Sequence, residues 1–210
     1  MLKEAVRFVA NAVIAEKNHL TMLDTKIGDG DHGLNMARGA TAVLEAMDEL
    51  DDKDLNISVL CNAVGQAIIM NVGGAAGPLY GTGFVEGAKT LDKNSNLDAK
   101  TLEKFFEAAI AGIQRRGHAK KGDKTMLDTL IPIYESLQSV ENEDKPIGDV
   151  IDDALTAARE GVEFTKTIAA KRGRASYIGE RSIGIEDPGA VSSLIIFRTF
   201  CQFLKDNKLV

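Results

Sequence analysis

Apolar residues recur along this chain at spacings of three and four, the period of one face of an α-helix. Leu2, Val6, Val9 and Val13 form the first stripe, and Leu60, Val64, Ala67 and Ile68 form another. Leu102, Phe105, Phe106, Ala109, Ile110 and Ile113 make a third, and Ile147, Val150, Ile151, Ala154, Leu155 and Ala158 a fourth. The pattern predicts eight helices, over 2–19, 33–49, 55–72, 78–91, 99–116, 124–140, 146–169 and 188–207. The prolines agree with it. Asp187-Pro188 has the form of an N-cap carboxylate followed by proline at the first helical position. Pro78 opens a segment after a run of small residues, and Pro146 lies in the acidic linker ENEDKP between two helices. Pro132 is expected to kink a helix near its first turns.

Short connections between the helices favour antiparallel neighbours. The 170–187 stretch is too long and Gly-rich to be a turn, and long ordered loops in helical domains carry function. No internal repeat or second domain is visible, so 1–210 reads as a single all-α domain.

A chain of 210 residues can bury a good core. Its net charge of −6 argues against a nucleic-acid or anionic-membrane binder, both of which need a basic face. Any polyphosphate held here therefore depends on metal and local dipoles rather than on bulk charge. Cys61 and Cys201 sit in apolar helical contexts, which suits reduced core thiols in a cytoplasmic protein. The N-terminal stretch carries Glu4 and Glu16 in an amphipathic pattern, unlike a signal peptide. No segment approaches the run of about 18 apolar residues that a membrane span requires.

The chemistry concentrates in LDTKIGDGDHGLN, where Asp24, Asp29 and Asp31 fall close together among Gly28, Gly30 and Gly33. Clustered carboxylates repel unless a cation compensates, and all-oxygen donors point to Mg²⁺ or Ca²⁺. The spelling G-x-G-x-x-G is present. However, two carboxylates would face a pyrophosphate and no strand precedes the turn, so a dinucleotide fold is excluded. An EF-hand begun at Asp29 would place Ala40 where a bidentate Glu is needed. What remains is a carboxylate cluster suited to one or two Mg²⁺ ions. Magnesium usually shares its shell with phosphate oxygens, which makes a nucleotide the natural co-ligand.

Three further segments combine small residues with polar groups. Val72-Gly73-Gly74-Ala75-Ala76-Gly77-Pro78-Leu79-Tyr80-Gly81-Thr82 allows close backbone approach at a helix start, for an anion or for tight helix packing. Arg116-Gly117-His118 through Lys124-Thr125-Met126 has one residue too many for a Walker A loop and follows a helix. It is kept as a pocket wall, where Met126 would pack on a purine or in the core. Gly173-Arg174-Ala175 through Asp187-Pro188-Gly189 offers arginines that can bind phosphate bidentately.

Taken together, IGDGDHGLNMARG, GGAAGPLYGT, GDKTMLD with its preceding RRG, and GRASYIGERSIG…DPGA resemble the L subunits of dihydroxyacetone kinases, from about residue 20 to 195. The resemblance implies an eight-helix antiparallel barrel with ADP and two Mg²⁺ at one end. The metal aspartates would be Asp24, Asp29 and Asp31. Nucleotide contacts would fall on His32, Gly33, Leu34, Asn35, Ala75, Ala76, Gly117, Met126, Arg174, Asp187, Pro188 and Gly189. No residue acts as a covalent catalyst, and the metal and Arg174 act electrostatically.

The implied activity is phosphoryl transfer from a phosphohistidine M subunit, through bound ADP, to dihydroxyacetone on a K subunit, with a homodimer left open. An ATP-exchanging kinase of dihydroxyacetone or a tetrulose, and a nucleotide-sensing partner of a transcription factor, are the alternatives. Two positions depart from the family pattern. Ala76 stands where Ser is frequent, and Ile185 where His is common.

Overall fold

The computed structural model describes residues 1–53, 55–140 and 145–210, so most of the acidic linker lies outside the described residues. Within the described residues the chain forms α1 (Leu2–Ala15), α2 (Lys17–Ile27), α3 (His32–Glu49), α4 (Ile57–Asn71) and α5 (Ala76–Ala88). Then follow α6 (Ala99–Gly117), α7 (Leu127–Gln138), α8 (Ile147–Thr165) and α9 (Pro188–Asp206). A 3₁₀ segment over Arg174–Ser182 is interrupted at Gly179, whose φ is 54°.

Local chemistry sets several of these boundaries. Asn56, Asp98 and Asp187 cap α4, α6 and α9 by accepting the N–H of Val59, Thr101 and Ala190. The helix expected over 2–19 divides at Glu16 (φ −84°, ψ 5°). The apolar stripe runs across this one-residue break, which is why the pattern alone does not register it. The helix expected from 124 starts at Leu127, because Lys124 adopts a left-handed backbone with φ 62°. Pro132 lies inside α7.

Packing closes a ring. α1 lies against α3 and α9, and from α3 onward each helix packs on the next, through α4, α5, α6, α7 and α8 to α9. α2 stands outside that sequence, against α3, α9 and the 3₁₀ segment. A large apolar core includes Leu20, Val43, Met47, Val64, Ile113 and Leu127, and a second joins Ile133, Ile151, Ala158 and Cys201. An apolar cavity of about 280 Å³ lies within the ring, bordered by Val9, Val43, Val64, Phe84, Phe105 and Phe197. α4 and α5 approach so closely that a Cβ on Gly81 would lie 2.7 Å from the Gly65 carbonyl.

Candidate functional site

α2 ends where Gly28 leaves helical geometry (φ −135°, ψ −144°), and a Cβ there would overlap the Asp24 carboxylate. The chain folds back through Gly30, and Asp24 Oδ2 then accepts the N–H of Asp31 at 2.8 Å and of His32 at 3.0 Å. One carboxylate thus satisfies donors at the start of α3 that no intrahelical carbonyl can reach. Asp24 is buried by this arrangement, while Asp29 and Asp31 remain exposed. One oxygen from each of the three lies within 4.8 Å of the others. The all-oxygen donor set, with solvent on its open side, fits a hard divalent cation that keeps part of its water shell. Arg174 forms a direct ion pair with the cluster, its Nε 2.9 Å from Asp29 Oδ2.

The aspartates border a pocket of about 470 Å³. His32 and Asn35 line it from α3, Ala75 and Ala76 from the start of α5, and Gly117 from the end of α6. Met126, Arg174, Asp187, Pro188 and Gly189 complete the expected set. Gly33 and Leu34 do not line the pocket, contrary to expectation. Gly33 is packed against the Lys17 carbonyl and Thr21, and the Leu34 side chain is half exposed. Either can reach a ligand only through its main-chain N–H in the first turn of α3.

Topology explains the pocket's electrostatics. α3, α5, α7 and α9 begin at this end of the ring, while α2, α4, α6 and α8 finish here. Four helix N-termini therefore open onto one space, each bringing the partial positive charge of its dipole. These dipoles add to the local charge of Arg116, Lys124, Arg172 and Arg174 in the pocket wall of an otherwise acidic chain.

Burial holds the His32 imidazole below its ordinary pKa, against the opposing pull of the Asp24 and Asp31 carboxylates. Its Nε2 lies 2.9 Å from Ser192 Oγ, so the ring is anchored to α9. Tyr80 Oη lies 2.8 Å from the same Ser192 Oγ and donates to the Gly189 carbonyl at 2.8 Å. Ile185, one of the two expected departures from the resemblance, packs on Ile27, Ala170 and Ala175. At Ala76 the first-turn N–H of α5 remains available as a donor.

Sequence reasoning did not single out Arg172 as a lining residue, and it named neither Arg116 nor Lys124 as a contact although it kept their segment as a pocket wall. Lys124 lies in a segment already marked as a pocket wall, yet its burial depends on loops more than 40 residues away. Tyr80 was also missed, because a Tyr on a helix gives no sign of meeting Ser192 and Ser193.

Comparison with known proteins places these features in context. The DAK2 domain model matches residues 26–202. The ADP-binding subunit DhaL of the PEP-dependent dihydroxyacetone kinase of Escherichia coli is 38% identical over 191 residues, covering 91% of this chain and 90% of that protein. A Listeria innocua subunit of the same description is 42% identical over 186 residues, 89% of this chain and 87% of its own length. The L-erythrulose 1-kinase of Mycolicibacterium smegmatis is 33% identical over 185 residues, but only 32% of its length is covered. The crystal structure of the C. freundii dihydroxyacetone kinase with AMP-PNP and Mg2+ superposes with a TM-score of 0.71 at 25% identity. The match covers 96% of this chain and 33% of that one, so this chain spans about a third of the solved kinase. Among the described residues, no helix is long and apolar enough to cross a membrane.

Proposed function

Because this chain belongs to the DAK2 domain family, we propose that it is the nucleotide-binding subunit of a phosphoenolpyruvate-dependent dihydroxyacetone kinase. In this reading a cytoplasmic M subunit carrying a phosphohistidine supplies the phosphoryl group. The group passes by way of ADP held in the pocket to dihydroxyacetone bound on a K subunit. The observation that carries the reading is the 38% and 42% identity to two ADP-binding subunits of PEP-dependent dihydroxyacetone kinases, against 33% to the L-erythrulose 1-kinase.

Each residue's part follows from its position. Asp29 and Asp31 face solvent, where they can hold up to two Mg²⁺ ions, and Asp24 fixes the turn that presents them. Bound Mg²⁺ would neutralise phosphate oxygens. Arg174 stands beside Asp29 with a guanidinium able to engage a phosphate by two parallel bonds. The first turn of α5 supplies N–H donors, and Met126 offers an apolar face for a base. Catalysis by such a site rests on positioning and electrostatics, which is what phosphoryl transfer requires.

The likeness to an erythrulose kinase favours a second reading, an ATP-exchanging ketose kinase component. The nucleotide content of the purified protein, measured by mass spectrometry with and without exhaustive EDTA, separates the two. Stoichiometric ADP released only on chelation is the expected result. An empty protein that binds ATP reversibly would support the second reading. No binding of either nucleotide with Mg²⁺ present would remove both.

A further inference from the structure

Lys124 is the largest side chain buried almost completely, at 1% exposure. It also adopts a left-handed backbone that L-residues seldom take. Its ammonium donates to the carbonyls of Thr165 at 2.6 Å, Ser182 at 2.7 Å and Ile185 at 2.7 Å, with Ile168 further off at 3.3 Å. These acceptors are the last residue of α8 and three points along the loop that leads to α9. A single cation thus caps the C-terminus of α8 and gathers that loop onto the turn before α7.

The surroundings are built to keep it there. Asp128 accepts the N–H of Gly122 at 2.5 Å and of Thr125 at 2.9 Å, which sets the turn carrying Lys124. The Asp128 carboxylate, joined by Asp187 when that group is ionised, supplies compensating charge. Two other ties run in parallel. The Lys171 N–H donates to the Asp123 carbonyl at 3.0 Å, and the Ala170 N–H to Ser182 Oγ at 2.9 Å.

A buried ammonium and a left-handed backbone both oppose folding, and an apolar side chain would often fill such a site at least as stably. What the ammonium adds is direction. The loop it gathers carries Arg174, which pairs with Asp29, and ends at Asp187, which caps α9. We propose that Lys124 is a positioning residue that fixes the 166–187 loop over the pocket and so sets how long a bound nucleoside diphosphate is retained. The proposal rests on the nucleotide-binding reading above, and it extends that reading to a residue outside the pocket's phosphate and metal contacts.

The test uses Lys124→Met in the full chain. Fluorescent ADP dissociation with Mg²⁺ is followed by stopped flow, and tryptic cleavage at Arg172, Arg174 and Arg181 by mass spectrometry. Release is expected to quicken by at least about tenfold, the loss of charge-assisted bonds, and cleavage to accelerate while helical circular dichroism persists. Leu137→Ala, which opens the second core on α7, is expected to lower the thermal midpoint without speeding release. Release at the wild-type rate from Lys124→Met overturns the proposal, as does equally fast release from Leu137→Ala at a matched midpoint.

Where Lys124→Met fails to fold, Ser182→Ala loosens the same loop and is expected to speed release about threefold. An unchanged rate there overturns the proposal equally. If the wild-type protein holds no ADP, the nucleotide reading falls on its own. The cleavage comparison then still decides whether Lys124 holds the loop, and unchanged cleavage refutes it.

Discussion

Three aspartates in one turn do two different jobs. Asp24 is buried and accepts two main-chain N–H groups, whereas Asp29 and Asp31 are exposed and leave their oxygens toward the pocket. Asp29→Ala and Asp31→Ala are therefore expected to abolish Mg²⁺-dependent ADP binding with little change in helicity. The affinity loss should exceed the roughly 10–100-fold caused by losing an outer partner of a metal ligand. Unchanged binding in calorimetry would sink the metal assignment. Asp24→Ala should in addition cost about 1–3 kcal/mol of stability, because two donors lose their acceptor; denaturant titration checks this.

Asp187 gives a pH signature. Burial lifts its carboxyl from 3.8 to about 7, with Asp128 adding to the rise while N–H donors and Lys124 oppose it. The folded chain therefore holds a proton that the unfolded chain releases across that window. The stabilisation is fully present below 3.8 and is lost as pH rises through about 7. Asp187→Asn keeps the cap oxygen and should remove this slope from the midpoint-versus-pH curve of the nucleotide-free protein. A slope identical to wild type would refute the assignment.

At the scale of elements, the small-residue run after α4 had two readings, an anion-binding helix start or tight helix packing, and the structure uses it for packing while also placing its first residues on the pocket wall. Ala75 and Ala76 line the pocket, whereas Gly81, one turn further on, meets Gly65 of α4 backbone to backbone. Spacing within one helix shows that small residues share a face. It cannot show which neighbour approaches them. Gly81→Val is expected to force the two helices apart at a cost of about 2 kcal/mol or more, read as a lower thermal midpoint. A midpoint equal to wild type would mean that the contact is looser than it looks. The break at Glu16 has the same origin, since an apolar stripe is continuous across a single turned residue.

For the whole molecule, alternation is the controlling fact. Because neighbouring helices run in opposite directions, every second N-terminus arrives at the same end, and four of them surround the aspartate turn. Binding that depends on those dipoles and on a cation should stabilise the fold only when both ligands are present. At ADP concentrations a hundredfold above Kd the gain is about 2.7 kcal/mol, or about 5–10 °C in thermal midpoint for a chain of this size. The same shift with EDTA in place of Mg²⁺ would show that the carboxylates do not act through metal.

The helical class, the approximate spans, the cap at Asp187 and the aspartate cluster were all legible in the chain. Each rests on interactions between residues a few positions apart, which spacing and residue type record directly. The meeting of Tyr80 with Ser192, the approach of Gly65 to Gly81 and the burial of Lys124 among carbonyls 41 to 61 residues away were decided only in three dimensions. A contact between distant segments depends on which helices become neighbours and at what depth they pack. Hydrophobic period specifies the buried face of each helix but leaves its neighbour undetermined, and the closed ring supplies that information.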